Sequence, residues 1–141
     1  MTNSGDLPIR TSARRWICII LDNLEALSDY ELQVRAWTGA GPEVWSPCEA
    51  VDEAEDIQID GFVKQGCAFL SGETIAAIHR VNRFIDDSDI SDNDMKTAAD
   101  TPLWFEIRRL AGEALNLFAS DVGQAGFSDL LSMSSEERLT V

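Results

Sequence analysis

The side chains that could act as nucleophiles or metal ligands are few and far apart in this chain. There is one histidine, His79, and there are three cysteines, Cys18, Cys48 and Cys67. No two cysteines have the C-x-x-C spacing that is typical of zinc sites, which need clustered ligands. Either Cys48 or Cys67 could act as a nucleophile with His79 as its base, since catalytic groups can meet from distant positions. No local motif supports that pairing, so we expect three reduced thiols, no metal and no cofactor.

Carboxylates are the abundant functional groups. The chain has 25 aspartate and glutamate residues against 11 lysine and arginine residues, which gives a formal net charge of −14. The run that starts at Asp87 resembles a calcium-binding loop at its first positions, but Asp92 stands where such a loop needs glycine and Ala98 where it needs glutamate. A catalytic pair of carboxylates cannot be assigned, because some pair fits by chance among so many acids. We therefore expect a protein that is not an enzyme.

The negative charge restricts the class of partner. Direct binding to nucleic acid or to an anionic membrane is electrostatically disfavoured, and Arg10, Arg14 and Arg15 are too few to form a basic patch. Solubility alone needs a net charge of only about 2–8 in a small domain. The surplus could steer a basic protein partner to the surface. Alternatively, the same carboxylates could imitate DNA in the cleft of a nucleic-acid-binding protein.

Two segments concentrate the acids, one within residues 43–60 and the other within residues 85–96. Trp45 lies in the first segment, and tryptophan is favoured at the centres of interfaces. The candidate partner-binding residues are Trp45, Glu49, Asp52, Glu53, Asp56, Asp60, Asp86, Asp87, Asp89, Asp92 and Asp94. In the alternative interpretation, these acids form an ordinary solvated surface and Trp45 covers the core.

The elements that must position these residues are helical. The clearest prediction is a helix over residues 101–118, where Thr101 can cap the first amides and Pro102 suits the first helical position. Apolar residues then recur at steps of three and four, which is one face of an α-helix. That face comprises Leu103, Ile107, Leu110, Ala111, Ala114, Leu115 and Phe118, with Trp104 in it or at its margin.

Shorter helical segments precede this helix. Apolar spacing through Leu27 predicts a helix from Ala13, although the β-branched residues near its start are also compatible with a strand. Further helices are predicted at residues 29–37 with Ser28 as the cap and Gly39 past the end, at residues 47–54 after Ser46, and after the cap Ser71 as far as Ile85. Residues 56–60 alternate like a short strand, but an extended loop is an equal alternative.

These elements predict a mainly α fold, namely a compact antiparallel bundle of about four main helices with an acidic irregular insertion. We expect a single domain over residues 1–141, with a flexible arm at residues 1–12 and a loosely packed C-terminal tail at residues 121–141, in which Phe127, Leu130 and Leu131 could dock back. No apolar run approaches the length of a membrane span, and the first residues lack the features of a signal peptide. A cytoplasmic location is therefore expected.

Two short motifs resemble a largely uncharacterised family of small, acidic, helical bacterial proteins. The first is Leu24-x-x-Leu27-Ser28-Asp29-x-Glu31-x-Gln33-x-x-x-Trp37, followed by an acidic middle. The second is Thr101-Pro102-Leu103-Trp104-Phe105-Glu106-Ile107, and the match spans about residues 13–118. Some small acidic proteins of this kind are immunity proteins of polymorphic or contact-delivered toxins. The resemblance implies a non-enzymatic protein and no catalytic residues.

The leading hypothesis is an immunity- or antitoxin-like inhibitor that neutralises a cognate basic toxin domain, such as a nuclease, through its acidic strips. The alternative is a cytoplasmic adaptor or regulatory protein that binds another basic protein. A DNA mimic and a small enzyme are less favoured. The sequence predicts no particular oligomeric state.

Overall fold

The structure, a computed structural model, describes residues 6–40, 45–56 and 68–141. These ranges contain eight helices and no β-strand, which confirms the mainly α prediction. The helices are α1 (Asp6–Ser28), α2 (Tyr30–Thr38), α3 (Pro47–Asp56), α4 (Gly72–Asp86), α5 (Met95–Ala98), α6 (Pro102–Gln124), α7 (Ser128–Leu131) and α8 (Ser135–Arg138). Within the described chain, no helix is both long and apolar enough to cross a lipid bilayer.

Helix α6 lies at the centre of the fold and packs along both α1 and α4. Its inward residues Ile107, Ala111 and Phe118 have no solvent exposure. The small Ala111 side chain allows a close approach of the neighbouring helix, while Phe118 contributes a large buried surface. The predicted start is confirmed, since the Thr101 hydroxyl accepts a hydrogen bond from the Trp104 N–H and Pro102 is the first helical residue.

The predicted compact bundle of four main helices is not confirmed. The extensive contacts are those of α6 with α1 and α4, whereas the shorter α3 contacts α1 and α4, and α2 contacts α5. A helix of nine or ten residues has only about three turns, so α2 and α3 bury a shorter face than the long helices do. Of the segment predicted as a strand or loop, Asp56 ends α3, and residues 57–60 lie outside the described residues.

The turn between α1 and α2 corrects one predicted cap. Asp29, and not Ser28, is the N-cap of α2, because the Asp29 carboxylate accepts a hydrogen bond from the Leu32 N–H. Gln33 is fully buried and donates from its side-chain amide to the carbonyls of Ala26 and Leu27, each at 2.9 Å. These bonds satisfy carbonyls at the end of α1 and hold α2 against it. The predicted stop at Gly39 is confirmed by its left-handed backbone, with φ of 77°.

Helices extend further at both ends of the described chain than the apolar spacing predicts. Helix α1 begins at Asp6, before the predicted start at Ala13. Helix α6 continues past Phe118 to Gln124, and the Phe127, Leu130 and Arg138 side chains beyond it are buried. Phe127 and Leu130 therefore pack back onto the core, although the C-terminal tail is rich in serine and glycine.

Arg138 makes the principal polar anchor of this tail. Its guanidinium group lies 2.9 Å from the Asp22 carboxylate and 3.0 Å from the Glu25 carboxylate, both on α1. The same side chain donates to the Leu130 carbonyl at 3.2 Å. A buried cation is stable only when its donors are satisfied in this way, so α8 is fixed on α1.

Candidate functional site

The described parts of the two acidic segments, residues 45–56 and 85–96, lie next to each other in the structure. We use the name acidic edge for α3 together with residues 86–94, and the name connector for residues 87–94 between α4 and α5. The Asp92 carboxylate accepts a hydrogen bond from the backbone N–H of Cys48 at 3.0 Å. The Cys48 thiol donates in return to the Ile90 carbonyl, with 3.6 Å between sulfur and oxygen. The connector therefore lies against the beginning of α3.

The first turn of α3 explains why a carboxylate from the connector is held there. The first amides of a helix have no partner inside the helix and carry the positive end of its dipole. The Ser46 hydroxyl accepts from the Glu49 N–H at 3.1 Å, while Asp92 takes the N–H of Cys48. The bond from Cys48 lowers the pKa of Asp92, since it stabilises the ionised carboxylate.

A cavity of about 250 Å³ opens between α3 and the connector. Four carboxylate residues line it: Asp52 and Glu55 from α3, Asp86 from the end of α4, and Asp89 from the connector. The apolar side chains of Val51 and Ile85, both buried, form the inner part of the wall. The geometry thus joins acids from two distant segments into one concave surface.

Three of the four carboxylates that line the cavity belong to no ion pair among the described residues. None of the ion pairs among these residues includes Asp52, Asp86 or Asp89. Arg14, Arg109 and Arg138 instead pair with acids elsewhere on the molecule. The cavity is consequently a region of concentrated negative potential that is open to a cation from outside.

Cys48 lies at the same place but is a poor nucleophile there. Burial raises the pKa of the Cys48 thiol, and its hydrogen bond and charge interaction with Asp92 and the nearby charge of Asp52 raise it further. The reactive thiolate is therefore disfavoured at neutral pH. His79 lies on α4 and does not line the cavity. In the ranges that the structure describes, no group of three or more histidine, cysteine or acidic side chains is arranged to hold a metal ion.

The predicted site residues fall into different places. Asp52, Asp86 and Asp89 line the cavity, and Asp92 holds the connector on α3. The remaining described carboxylates of the set lie exposed on the same two segments without lining the cavity: Glu49, Glu53, Asp87 and Asp94. Asp56 is the last residue of α3, and Asp60 lies outside the described residues.

Sequence reasoning missed Glu55 as a site residue. Glu55 follows Asp52 by three positions, which places both on one face of α3. The spacing could have indicated Glu55 from the sequence if the helix predicted through Ala54 had been extended by one residue. The role of the Cys48 N–H had no such signal, because every helix begins with unpaired amides.

Trp45 lies just before α3 and is partly buried. Its ring meets that of Trp37 edge to face, with 5.6 Å between the ring centroids. Trp37 in turn contacts Trp104 of α6, with 4.7 Å between the centroids. The structure therefore connects Trp45 to the core through two aromatic contacts, as expected for a residue that covers the core.

Comparisons of the chain with protein-family models, with curated proteins and with solved structures find no match. The resemblance to small acidic bacterial proteins stays a prediction. Any functional assignment must therefore come from the geometry and charge of the acidic edge.

Proposed function

We propose that this protein is a non-enzymatic, immunity- or antitoxin-like inhibitor whose acidic edge binds and neutralises a basic toxin domain, such as a nuclease. In this proposal the protein acts in the cytoplasm. The observation that supports it best is the gathering of Asp52, Asp86 and Asp89 around one concave surface without a cation among the described residues.

The chemistry of the partner follows from the chemistry of the surface. A nuclease binds phosphate and therefore carries basic side chains in its active site. Unpaired carboxylates attract such a domain over several ångströms and speed its association. The cavity is concave, so a lysine or arginine side chain that enters it is surrounded by acceptors on more than one side. Inhibition then needs only occupation of the toxin's cleft and no chemical step.

Charge substitutions at the acidic edge test the proposal. We expect Asp86→Asn, Asp87→Asn and Asp89→Asn together to slow association with the toxin domain by about tenfold at low salt, since electrostatic steering contributes mainly to the association rate. The rate should also become less dependent on ionic strength. Stopped-flow or surface-based kinetics measure both quantities. A second triple variant, Glu49→Gln, Asp52→Asn and Glu53→Gln, tests the α3 side separately.

The matched control removes the same number of charges elsewhere. Glu31→Gln, Glu73→Gln and Glu136→Gln change three exposed acids that lie outside the acidic edge. This control should retain most of the association rate. The proposal is wrong if neither edge variant slows association, or if the control slows it to the same degree.

The partner itself is found from the native genome and cell. An inhibitor of this class is expected to be encoded directly downstream of a gene for a toxin domain, and that domain is the protein to purify. Capture from native cells supplies an independent comparison. If the captured proteins are only housekeeping proteins, the inhibitor proposal is abandoned and the adaptor alternative is favoured.

A further inference from the structure

Two hydrogen bonds attach the connector to the beginning of α3. Asp92 Oδ1 and Cys48 N are 3.0 Å apart, and Cys48 Sγ and the Ile90 carbonyl oxygen are 3.6 Å apart. The residues on either side of these contacts, Ser91 and Asn93, are exposed. The hydrogen bond to Asp92 is thus the main polar tie between two segments that are 44 residues apart.

The carboxylates on the two sides of the cavity oppose this attachment. Asp52 and Glu55 on α3 face Asp86 and Asp89 on the other segment across one cavity, and like charges repel each other. A hydrogen bond between a carboxylate and a helix amide is charge-assisted and stronger than a neutral one. It also uses one oxygen of Asp92, so this group differs from Asp52, Asp86 and Asp89, which line the cavity.

We infer that Asp92 is a positioning residue: it holds the connector on the first turn of α3 and thereby keeps the two sets of carboxylates together as one binding surface. For its effect on binding, this inference rests on the proposed function. The attachment itself does not depend on any partner and is tested without one.

The first experiment measures alkylation of Cys48 in the full chain with iodoacetamide, quantified by mass spectrometry of the peptide that contains it. Asp92→Ala removes the acceptor and frees the connector, so we expect Cys48 to react about tenfold faster. Asp92→Asn keeps an amide oxygen that can accept from the same N–H, so its rate should rise much less than that of Asp92→Ala. An increase in the Cys48 alkylation rate that both variants share is due to the lost charge. The difference in rate between the two variants is due to the lost attachment.

Two controls accompany this measurement. Asp94→Ala removes a neighbouring exposed acid that makes no side-chain cap bond, and it should leave the Cys48 rate unchanged. Cys18 is 3% exposed and serves as the internal reference, since it reacts only when the core opens. If Asp92→Ala also raises the Cys18 rate, the measurement is repeated with Asp92→Glu in its place. The longer glutamate side chain keeps the charge but moves the carboxylate away from the position of the Asp92 carboxylate. Equal Cys48 rates in wild type and the displaced variant overturn the inference.

The second experiment compares the same variants in association with the purified toxin domain. Asp92→Ala should slow association to the level of the edge triple variant, whereas Asp92→Asn should lose no more than Glu136→Gln, which removes one remote charge. Equal losses in Asp92→Ala and Asp92→Asn would show that Asp92 acts by its charge as a contact residue, and the inference would be wrong. If the wild type binds no toxin domain, the proposed function fails while the alkylation result still decides the role of Asp92.

Discussion

The acidic edge and the C-terminal segment (residues 127–141) use charged side chains in opposite ways. In the C-terminal segment, Arg138 pairs with Asp22 and Glu25, and Asp129 pairs with Arg14 at 2.7 Å. In the acidic edge, Asp52, Asp86 and Asp89 line the cavity and belong to no ion pair among the described residues. Charge in the first region holds the chain together, whereas charge in the second region is left for solvent or a partner.

Burial accounts for this difference. The Arg138 side chain is 3% exposed, so water cannot solvate its charge and the protein must supply acceptors. Burial opposes the charged form, but hydrogen bonds and charge interactions with Asp22 and Glu25 outweigh it and raise the pKa of Arg138. Asp52, Asp86 and Asp89 are exposed and solvated, so they can remain charged without an ion-pair partner among the described residues.

The largest expected effect concerns Arg138. Arg138→Met should lower the free energy of unfolding by about 2–4 kcal/mol, because the loss leaves Asp22 and Glu25 without their partner; both are partly solvated, so the cost stays below that of a fully buried pair. Urea unfolding measures this change. The exposed Arg80→Met is the control and should stay within about 0.5 kcal/mol of the wild type. If the two variants are equally stable, the charge of Arg138 does not hold the C-terminal segment on α1 and the comparison between the two regions is wrong.

Asp121 sharpens the comparison, because it joins two segments by hydrogen bonds as Asp92 does at the acidic edge. Its carboxylate accepts from the Ser71 N–H at 2.8 Å and from the Thr74 hydroxyl at 2.6 Å, which joins α6 to the start of α4. Asp121→Ala should cost about 1–2 kcal/mol, because both hydrogen bonds to a charged acceptor are lost. A cost near zero in urea unfolding would show that these bonds do not contribute to stability.

The same residue gives a prediction for pH. Burial is the largest influence and opposes ionisation, but the bonds from Thr74 and Ser71 together lower the pKa of Asp121. A carboxyl group with a lowered folded-state pKa stabilises the protein above the unfolded-state pKa of about 3.9, and this stabilisation is lost as the pH falls through the folded-state value. Asp121→Asn should therefore lose less stability than the wild type between about pH 4 and pH 2. Parallel pH profiles would contradict this assignment.

Neutralising charges of the acidic edge should raise the free energy of unfolding, whereas the substitutions above lower it. Asp86→Asn with Asp89→Asn removes two charges that face the carboxylates of α3 across the cavity, so the free energy of unfolding should not fall and should rise by about 0.2–0.5 kcal/mol. Asp22→Asn, which weakens the contact with Arg138, should instead lower it by about 1 kcal/mol. Thermal or urea unfolding of both variants in one buffer decides the sign. A loss of stability in the edge variant would mean that its carboxylates hold the fold together.

The smallest expected effect is the response to salt. Salt screens repulsion between exposed charges, so raising the ionic strength should stabilise the wild type slightly more than the Asp86→Asn, Asp89→Asn variant. The difference should be a few tenths of a kcal/mol at most. Unfolding series at low and high sodium chloride concentration measure it, and an identical salt response would mean that the edge charges do not interact.

Local features of the sequence predicted much of the helical structure. Thr101 and Ser71 are correct caps because a cap depends only on the next few residues, and Ile107 and Phe118 are buried because helical spacing places them on one face. The predicted cap at Ser28 missed by one residue, since Asp29 offers an equivalent oxygen. Such local competition is decided by backbone geometry that the sequence does not display.

The candidate site was predicted only as a set of residues. The contact between Asp92 and Cys48 joins positions 44 residues apart and depends on how α3 and α4 pack, for which no periodic signal exists. The anchoring role of Arg138 was missed for the same reason, because its partners lie on α1. The abundance of acids indicated two segments, but only the fold shows which of their residues meet.

The hydrogen bond between Asp92 and Cys48 also has a consequence for the order of folding. Closing a long stretch of chain costs entropy before its contacts can form, so such contacts tend to form after local helices and their packing. The acidic edge is then completed only when α3 and α4 are already in place beside α1 and α6. A newly synthesised, half-folded chain would lack the assembled surface, and we expect the capacity to bind a partner to appear at the last step of folding.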